Sequence, residues 1–325
     1  MLMKNFLAVS LATCSIICGA SSISAQTTPS ASDKDQMDKI KSEIEKKDYA
    51  TALKEITPLA EKGEKSAEYH LALMYLNGEG GPRDPKKAAE WFEKSYAQGG
   101  KHSGYNLGLL YAQGNGVKKD LPKAFAIFKK EADLGEADAQ YNVGLLYLYG
   151  DGTKQNSTLA VKYLDMAAAK GQQEAQYSRS LMYLAGKNNS DKSKAFATLK
   201  ALADKGYVSA EYNYGSMYLA GVTVPKDSKK AATWITKAAN DGCIPAQHDL
   251  ALMYSRGDGV AKDAKQSLAW LEKAAKSGSP CDQYSLGQMY EKGTGVPKDQ
   301  AKAKEWFKKA AAQGDPDAKH ALAAH

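Results

Sequence analysis

The chain has 325 residues, 43% hydrophobic and 25% charged, and its 44 Lys and Arg against 37 Asp and Glu give a formal charge of +7. So mild a balance, with no arginine cluster or basic arm, argues against a nucleic-acid reader. Beyond the N-terminus no segment approaches the roughly 20 apolar residues of a membrane-spanning helix.

The first residues carry Lys4, an apolar stretch from Phe6 to Ile17 broken by Ser10, Thr13 and Ser15, and small residues from Gly19 to Ala25. That layout predicts a secretory signal peptide over residues 1–25. Cleavage after Ala25 would leave Gln26 first, with cleavage after Ala20 as the competitor. The expected address is periplasmic or secreted, for a soluble mature chain of charge +6 once Lys4 is lost. Residues 26–34 read as a polar linker, and 35–65 as a divergent helical cap with Ala52 and Gly63 in register with Ala88 and Gly99 downstream.

From residue 66 a repeat takes over. Gly99, Gly135, Gly171, Gly206, Gly242, Gly278 and Gly314 each close a unit, at intervals of 36 residues with one of 35. A period of this length belongs to a solenoid of helix pairs, in which each unit buries its apolar face only against its neighbours. Seven units are expected over 66–314, and 315–325 reads as a partial helix beginning an eighth. Within a unit, Gly-x-Gly divides the two helices, as at Gly78-Glu79-Gly80, Gly114-Asn115-Gly116, Gly150-Asp151-Gly152, Gly257-Asp258-Gly259 and Gly293-Thr294-Gly295. Glycine there ends a helix in the left-handed conformation. Six residues after the first glycine, Asp84, Asp120, Asn156, Asp227, Asp263 and Asp299 suit the N-cap of the second helix. The 35-residue unit takes its deletion in the turn Lys187-Asn188-Asn189-Ser190.

The first helix carries an invariant tyrosine (Tyr75, Tyr111, Tyr147, Tyr183, Tyr218, Tyr254, Tyr290) and, three residues earlier, a small residue (Ala72, Gly108, Gly144, Ser180, Gly215, Ala251, Gly287). The second helix pairs small residues, Ala88 to Ala303, with bulky pairs such as Trp91-Phe92, Trp234-Ile235, Trp270-Leu271 and Trp306-Phe307. Small against large at helical spacing predicts interdigitation in the core. Cys243 and Cys281 lie about one repeat apart, and positions separated by two packed helices exceed the roughly 7 Å a disulfide spans. No bridge between them is expected.

The last full unit, with Leu286-Gly287, Tyr290, Gly293-Thr294-Gly295-Val296, Asp299, Lys302-Ala303, Trp306-Phe307, Lys309-Ala310-Ala311 and Gly314, resembles the Sel1-like repeat family, relatives of tetratricopeptide repeats. The unit with Arg179-Ser180 and Thr198-Leu199 departs most from the pattern. The resemblance implies an all-α fold, a right-handed α/α superhelical solenoid of helix-turn-helix repeats. Two further columns run along the first helices. One is aromatic, with Tyr69, Tyr105, Tyr141, Tyr177, Tyr212, His248 and Tyr284; the adjacent one is polar and includes Asn106, Asn142 and Asn213. In tetratricopeptide repeats these positions face a concave groove, so the resemblance implies a peptide- or protein-binding channel at these ten residues. The competing reading is that the tyrosines pack on neighbouring units while the asparagines satisfy local backbone.

No Ser-x-x-Lys, His-Glu-x-x-His or Cys-x-x-Cys is present, and His70, His102, His248, His320 and His325 are scattered. No catalytic residue, cofactor or metal site is therefore expected. The resemblance implies a non-catalytic interaction scaffold or regulator; together with the signal peptide it points to the bacterial cell envelope and an envelope or host protein as partner, while the net positive charge adds weak attraction to anionic polymers. A β-lactamase-like or other cell-wall-directed hydrolase is the alternative.

Overall fold

The structure, a computed structural model, describes residues 31–186 and 189–323. The expected signal peptide, Lys187 and Asn188 fall outside that range, as does His325. Among the described residues every regular element is a helix. The chain divides into two compact units, one ending at Ser103 and one beginning at Gly104.

The first unit holds α1 (Ala31–Glu45), α2 (Tyr49–Glu61), α3 (Lys65–Asn77) and α4 (Pro85–Ala97), and the division falls inside α5 (Lys101–Gln113). In the second unit follow α6 (Leu121–Asp133), α7 (Ala137–Tyr149), α8 (Ser157–Ala169), α9 (Gln173–Ala185), α10 (Asn189–Asp204) and α11 (Val208–Ala220). It continues with α12 (Ser228–Asn240), α13 (Ile244–Arg256), α14 (Ala264–Lys276), α15 (Pro280–Lys292), α16 (Gln300–Ala312) and α17 (Pro316–Ala323). α1 opens ahead of the cap's expected start at residue 35, and α9 and α10 form the 35-residue unit. Within each unit, successive antiparallel helix pairs pack on one another, the all-α solenoid arrangement.

Local chemistry sets the helix ends. The expected caps are in place: the carboxylates of Asp84, Asp120, Asp227, Asp263 and Asp299 and the amide oxygen of Asn156 accept backbone N–H bonds two or three residues on, at 2.9–3.1 Å. First helices stop where the glycine turns left-handed, as at Gly293, where φ is 72° and the N–H returns to the Met289 carbonyl. The small column allows the two helices of a pair to touch. A Cβ at Gly287 would lie 2.5 Å from the Phe307 ring, and one at Gly108 2.6 Å from Phe128. Phe128, Leu164, Leu199, Ile235 and Phe307 fill these contacts from the second helices and are completely or almost completely buried.

The second glycine of the turn does something the sequence did not disclose. It lies against the first carbonyl of the preceding second helix: a Cβ at Gly259 would fall 1.9 Å from the Ser228 oxygen, and one at Gly152 2.3 Å from that of Leu121. The register position in the following turn of the divergent region is Thr223, which holds φ at 71°. A β-branched residue is costly there. Gly186, in the same region, is extended rather than left-handed. Arg179 stands in the leucine column of α9, 9% exposed, with its guanidinium on Asp165 and its face over the Tyr183 ring.

A glutamine column ties successive repeats together. The side-chain amides of Gln140, Gln176, Gln247 and Gln283 each donate to the carbonyl eight residues back, at Ala132, Ala168, Ala239 and Ala275, at 3.1–3.2 Å. These carbonyls belong to the last turns of α6, α8, α12 and α14, and each also accepts the N–H of the glycine three residues on, at 3.0–3.2 Å, so the glutamine adds a second bond to the helix end.

Candidate functional site

The aromatic and polar columns come from the N-terminal halves of the first helices. Their backbone is fixed by the glutamine contacts on one side and the left-handed glycines on the other. In the first unit Tyr69 is half-buried, its ring 5.9 Å from Phe92 and 6.0 Å from His102. In the second unit Tyr105 packs on Phe128 and Tyr284 on Phe307, in the same tilted geometry. Tyr141 is half-buried, and Tyr177 is 8% exposed against Tyr207. Packing on second-helix phenylalanines thus covers part of Tyr69, Tyr105 and Tyr284, whereas Tyr177 packs on Tyr207, the residue before α11.

The polar atoms of the columns are joined across repeats. Asn213 Nδ2 donates to the Tyr177 hydroxyl at 2.8 Å, Tyr212 donates to Asp249 Oδ2 at 3.0 Å, and His248 Nδ1 meets Asp282 Oδ1 at 2.5 Å. Within its own helix the Tyr284 hydroxyl accepts from Gln288. Burial pushes the Tyr177 hydroxyl up to about 12 and raises that of Tyr212, which Asp249 raises further. The hydrogen bond to Asp282 holds the His248 imidazole above its ordinary value, against the pull of burial.

Asn142 and Asn213 return their side-chain N–H to the carbonyls of Asp138 and Ser209, four residues back. Part of the local-backbone reading is thereby met. With the N–H groups so engaged, the amide oxygens of Asn142 and Asn213 have no hydrogen-bond partner among the described residues. Asn106, half-buried on α5, occupies the equivalent register position.

Sequence reasoning passed over Asp282. Its column is otherwise Ala67, Ser103, Ala139, Ala175, Ala210, Ala246 and Ala318, and a lone acid among small residues was the available signal. Asp282 is 4% exposed, so its carboxylate is buried where the other repeats bury a methyl or hydroxymethyl group. Cys243 and Cys281 are both free, and burial raises both thiols, which disfavours the nucleophilic thiolate. Among the described residues no group of three or more His, Cys, Asp or Glu could hold a metal ion, and no helix is long and apolar enough to cross a membrane.

Comparison with known proteins agrees with this arrangement. The Sel1 repeat family model matches residues 65–100, 104–136, 137–172, 208–243, 244–279 and 282–315. Those matches omit α9 and α10, the pair carrying Arg179. The chain is similar to a solved protective antigen of uropathogenic Escherichia coli, c5321, described as displaying an SLR fold, at 33% identity and TM-score 0.71. That match covers 83% of this chain and 58% of the antigen, so the chain spans little more than half of its length. It is also similar to a solved Sel1 repeat protein from Oxalobacter formigenes, at 29% identity and TM-score 0.69 over 97% of this chain and 98% of that one. Yeast Tom70, 18% identical with TM-score 0.52 over 91% of this chain and 60% of its own, shares the fold alone. No curated protein matches.

Proposed function

The chain belongs to the Sel1 repeat family, and from that membership we propose that it is a non-catalytic scaffold or regulator of the bacterial cell envelope, holding a peptide or protein partner along the first-helix columns of its second unit. A repeat scaffold of this family fits a protein-interaction role. The observation that carries the proposal is the oriented amides of Asn142 and Asn213, whose N–H groups are tied back so that their oxygens remain as fixed acceptors. A peptide N–H is the natural complement, and half-buried tyrosines alongside supply contact area at low entropic cost. The envelope address rests on the leader-like residues 1–25, and an envelope or host protein is the proposed partner. No observation favours the hydrolase alternative.

Replacing Asn106, Asn142 and Asn213 together with alanine tests the groove. Affinity capture from the native envelope fraction should lose the partner recovered by the wild type, with helicity by circular dichroism unchanged. Equal recovery by both proteins would remove the groove from the proposal. Fractionation of cells expressing the full chain tests the address, and retention of the whole product in the cytosol would overturn it.

A further inference from the structure

The two helix rows of the second unit carry opposite charge. Its second helices, α6, α8, α10, α12, α14 and α16, hold seventeen lysines, no arginine and seven acids. The first helices α7, α9, α11, α13, α15 and α17 hold four basic residues and seven acids. Fifteen of the seventeen lysines are exposed. We propose that the second-helix face of this unit is a docking surface for a flexible linear polyanion, an inference independent of the groove.

The lysines are placed by packing. Lys237, Lys273 and Lys309 each stand three residues after a tryptophan and rest over its ring, at 5.4, 3.8 and 4.0 Å from the centroid. The spacing of 36 residues puts equivalent amines on successive repeats in register. Neighbouring second helices are in contact, as where the Tyr163 hydroxyl of α8 donates to Asp133 of α6. Lys129, Lys194, Lys200, Lys230, Lys237 and Lys302 lie within 4.0 Å of a carboxylate, and the remaining exposed lysines, Lys265, Lys273 and Lys309 among them, form a series of cations whose field adds along the face.

The same features select the occupant. Lysine is a compact point charge without the planar fork that reads phosphate or base edges, so the face attracts anions without demanding a particular geometry. The lysine amines already lie over the tryptophan rings, which disfavours stacking of nucleobases or sugar rings on them. Met166 on α8 is the single exposed large hydrophobic side chain on these helices among the described residues, so the face lacks the apolar residues with which surface helices enter a bilayer. A chain of repeated carboxylates remains as the complement, able to follow one amine after another.

The test uses the full-length chain and polygalacturonate, with binding measured across a salt titration. Replacing Lys265, Lys273 and Lys309 with glutamine should weaken binding about tenfold at low salt and flatten its salt dependence. Replacing the same number of first-helix cations, Arg256, Lys292 and Lys319, removes equal net charge and should leave affinity within about twofold of wild type. Circular dichroism verifies that both variants stay folded. Equal weakening by the two variants would mean that net charge alone is responsible and would overturn the proposal. So would a wild-type chain that binds phosphatidylglycerol vesicles and leaves the polymer free.

Discussion

His248 of α13 and Asp282 of α15 meet across successive repeats at 2.5 Å, at positions where neighbouring repeats mostly carry tyrosine and alanine. The pair replaces an aromatic contact by an ionisable one and buries a carboxylate to do so. Asp249, next to His248 and hydrogen-bonded by Tyr212, adds a second negative charge nearby.

Because the folded value of His248 lies above the ordinary 6.5, the stability it contributes is fully present below pH 6.5 and is lost as pH rises through the folded value. Asp282→Ala restores the repeat's usual residue and should bring the His248 titration, followed by its ring proton resonances, downward. The fall of stability across that window should disappear with it. A His248 titration unchanged in the variant would show that the contact does not govern the imidazole.

His70, in the first unit, has the opposite sign. Burial lowers its imidazole from 6.5 to about 4, and its Nδ1 is buried without a partner. Stability is therefore complete above pH 6.5 and is lost as pH falls toward 4, by about 3 kcal/mol for a shift of this size. His70→Asn, the residue of the equivalent columns on α5, α7 and α11, should abolish this acid loss in chemical denaturation monitored from pH 7 to 4. Glu68, raised by burial, works against it, since its buried carboxylate costs stability as pH climbs above 4.5.

Gly259→Ala should destabilise the second unit by about 3 kcal/mol, since a left-handed alanine costs ~1–2 kcal/mol and its Cβ meets a backbone carbonyl that side-chain movement cannot relieve. Thr223→Gly should do the reverse, gaining about 1 kcal/mol by relieving the left-handed threonine. Denaturant midpoints of the two variants test both signs in one experiment.

Glu211 occupies the glutamine column of α11, fully buried, with Lys237 Nζ 2.7 Å from a carboxylate oxygen but without hydrogen-bond geometry. The other glutamines donate to a carbonyl eight residues back, and a glutamate cannot repeat that when ionised. Glu211→Gln should add about 1 kcal/mol by offering a donor to the Ala203 carbonyl and removing a buried charge. A loss of stability would mean that the ion pair with the half-exposed Lys237 outweighs both gains.

Much of the fold could be read from the sequence because helix-pair repeats make periodicity and packing the same thing. The closing glycines, the N-cap acids from Asp84 to Asp299 and the glycine column facing Phe128 and Phe307 all follow from local rules repeated at one spacing. What escaped were relations between repeats. Gly152 is a helix stop by local logic, and only the stacked structure places it on the Leu121 carbonyl. His248 belongs to the aromatic column that the sequence makes visible, but its partner lies 34 residues ahead in a column the sequence analysis does not single out. In the asparagine column, Asn142 and Asn213 serve the local backbone with one end of each amide, a bond that residue type and spacing alone do not choose over a ligand contact.

The glutamine contacts also give the array a direction. A second donor to the C-terminal turn of α6, α8, α12 or α14 is supplied by the helix that follows, so a break at a repeat boundary takes one of two hydrogen bonds from a carbonyl on the upstream fragment and none from a carbonyl on the downstream one. Unravelling from the C-terminal end should strip each predecessor of that second bond and loosen its last turn, whereas erosion from the other end removes only acceptors and leaves the last turns of the remaining repeats intact.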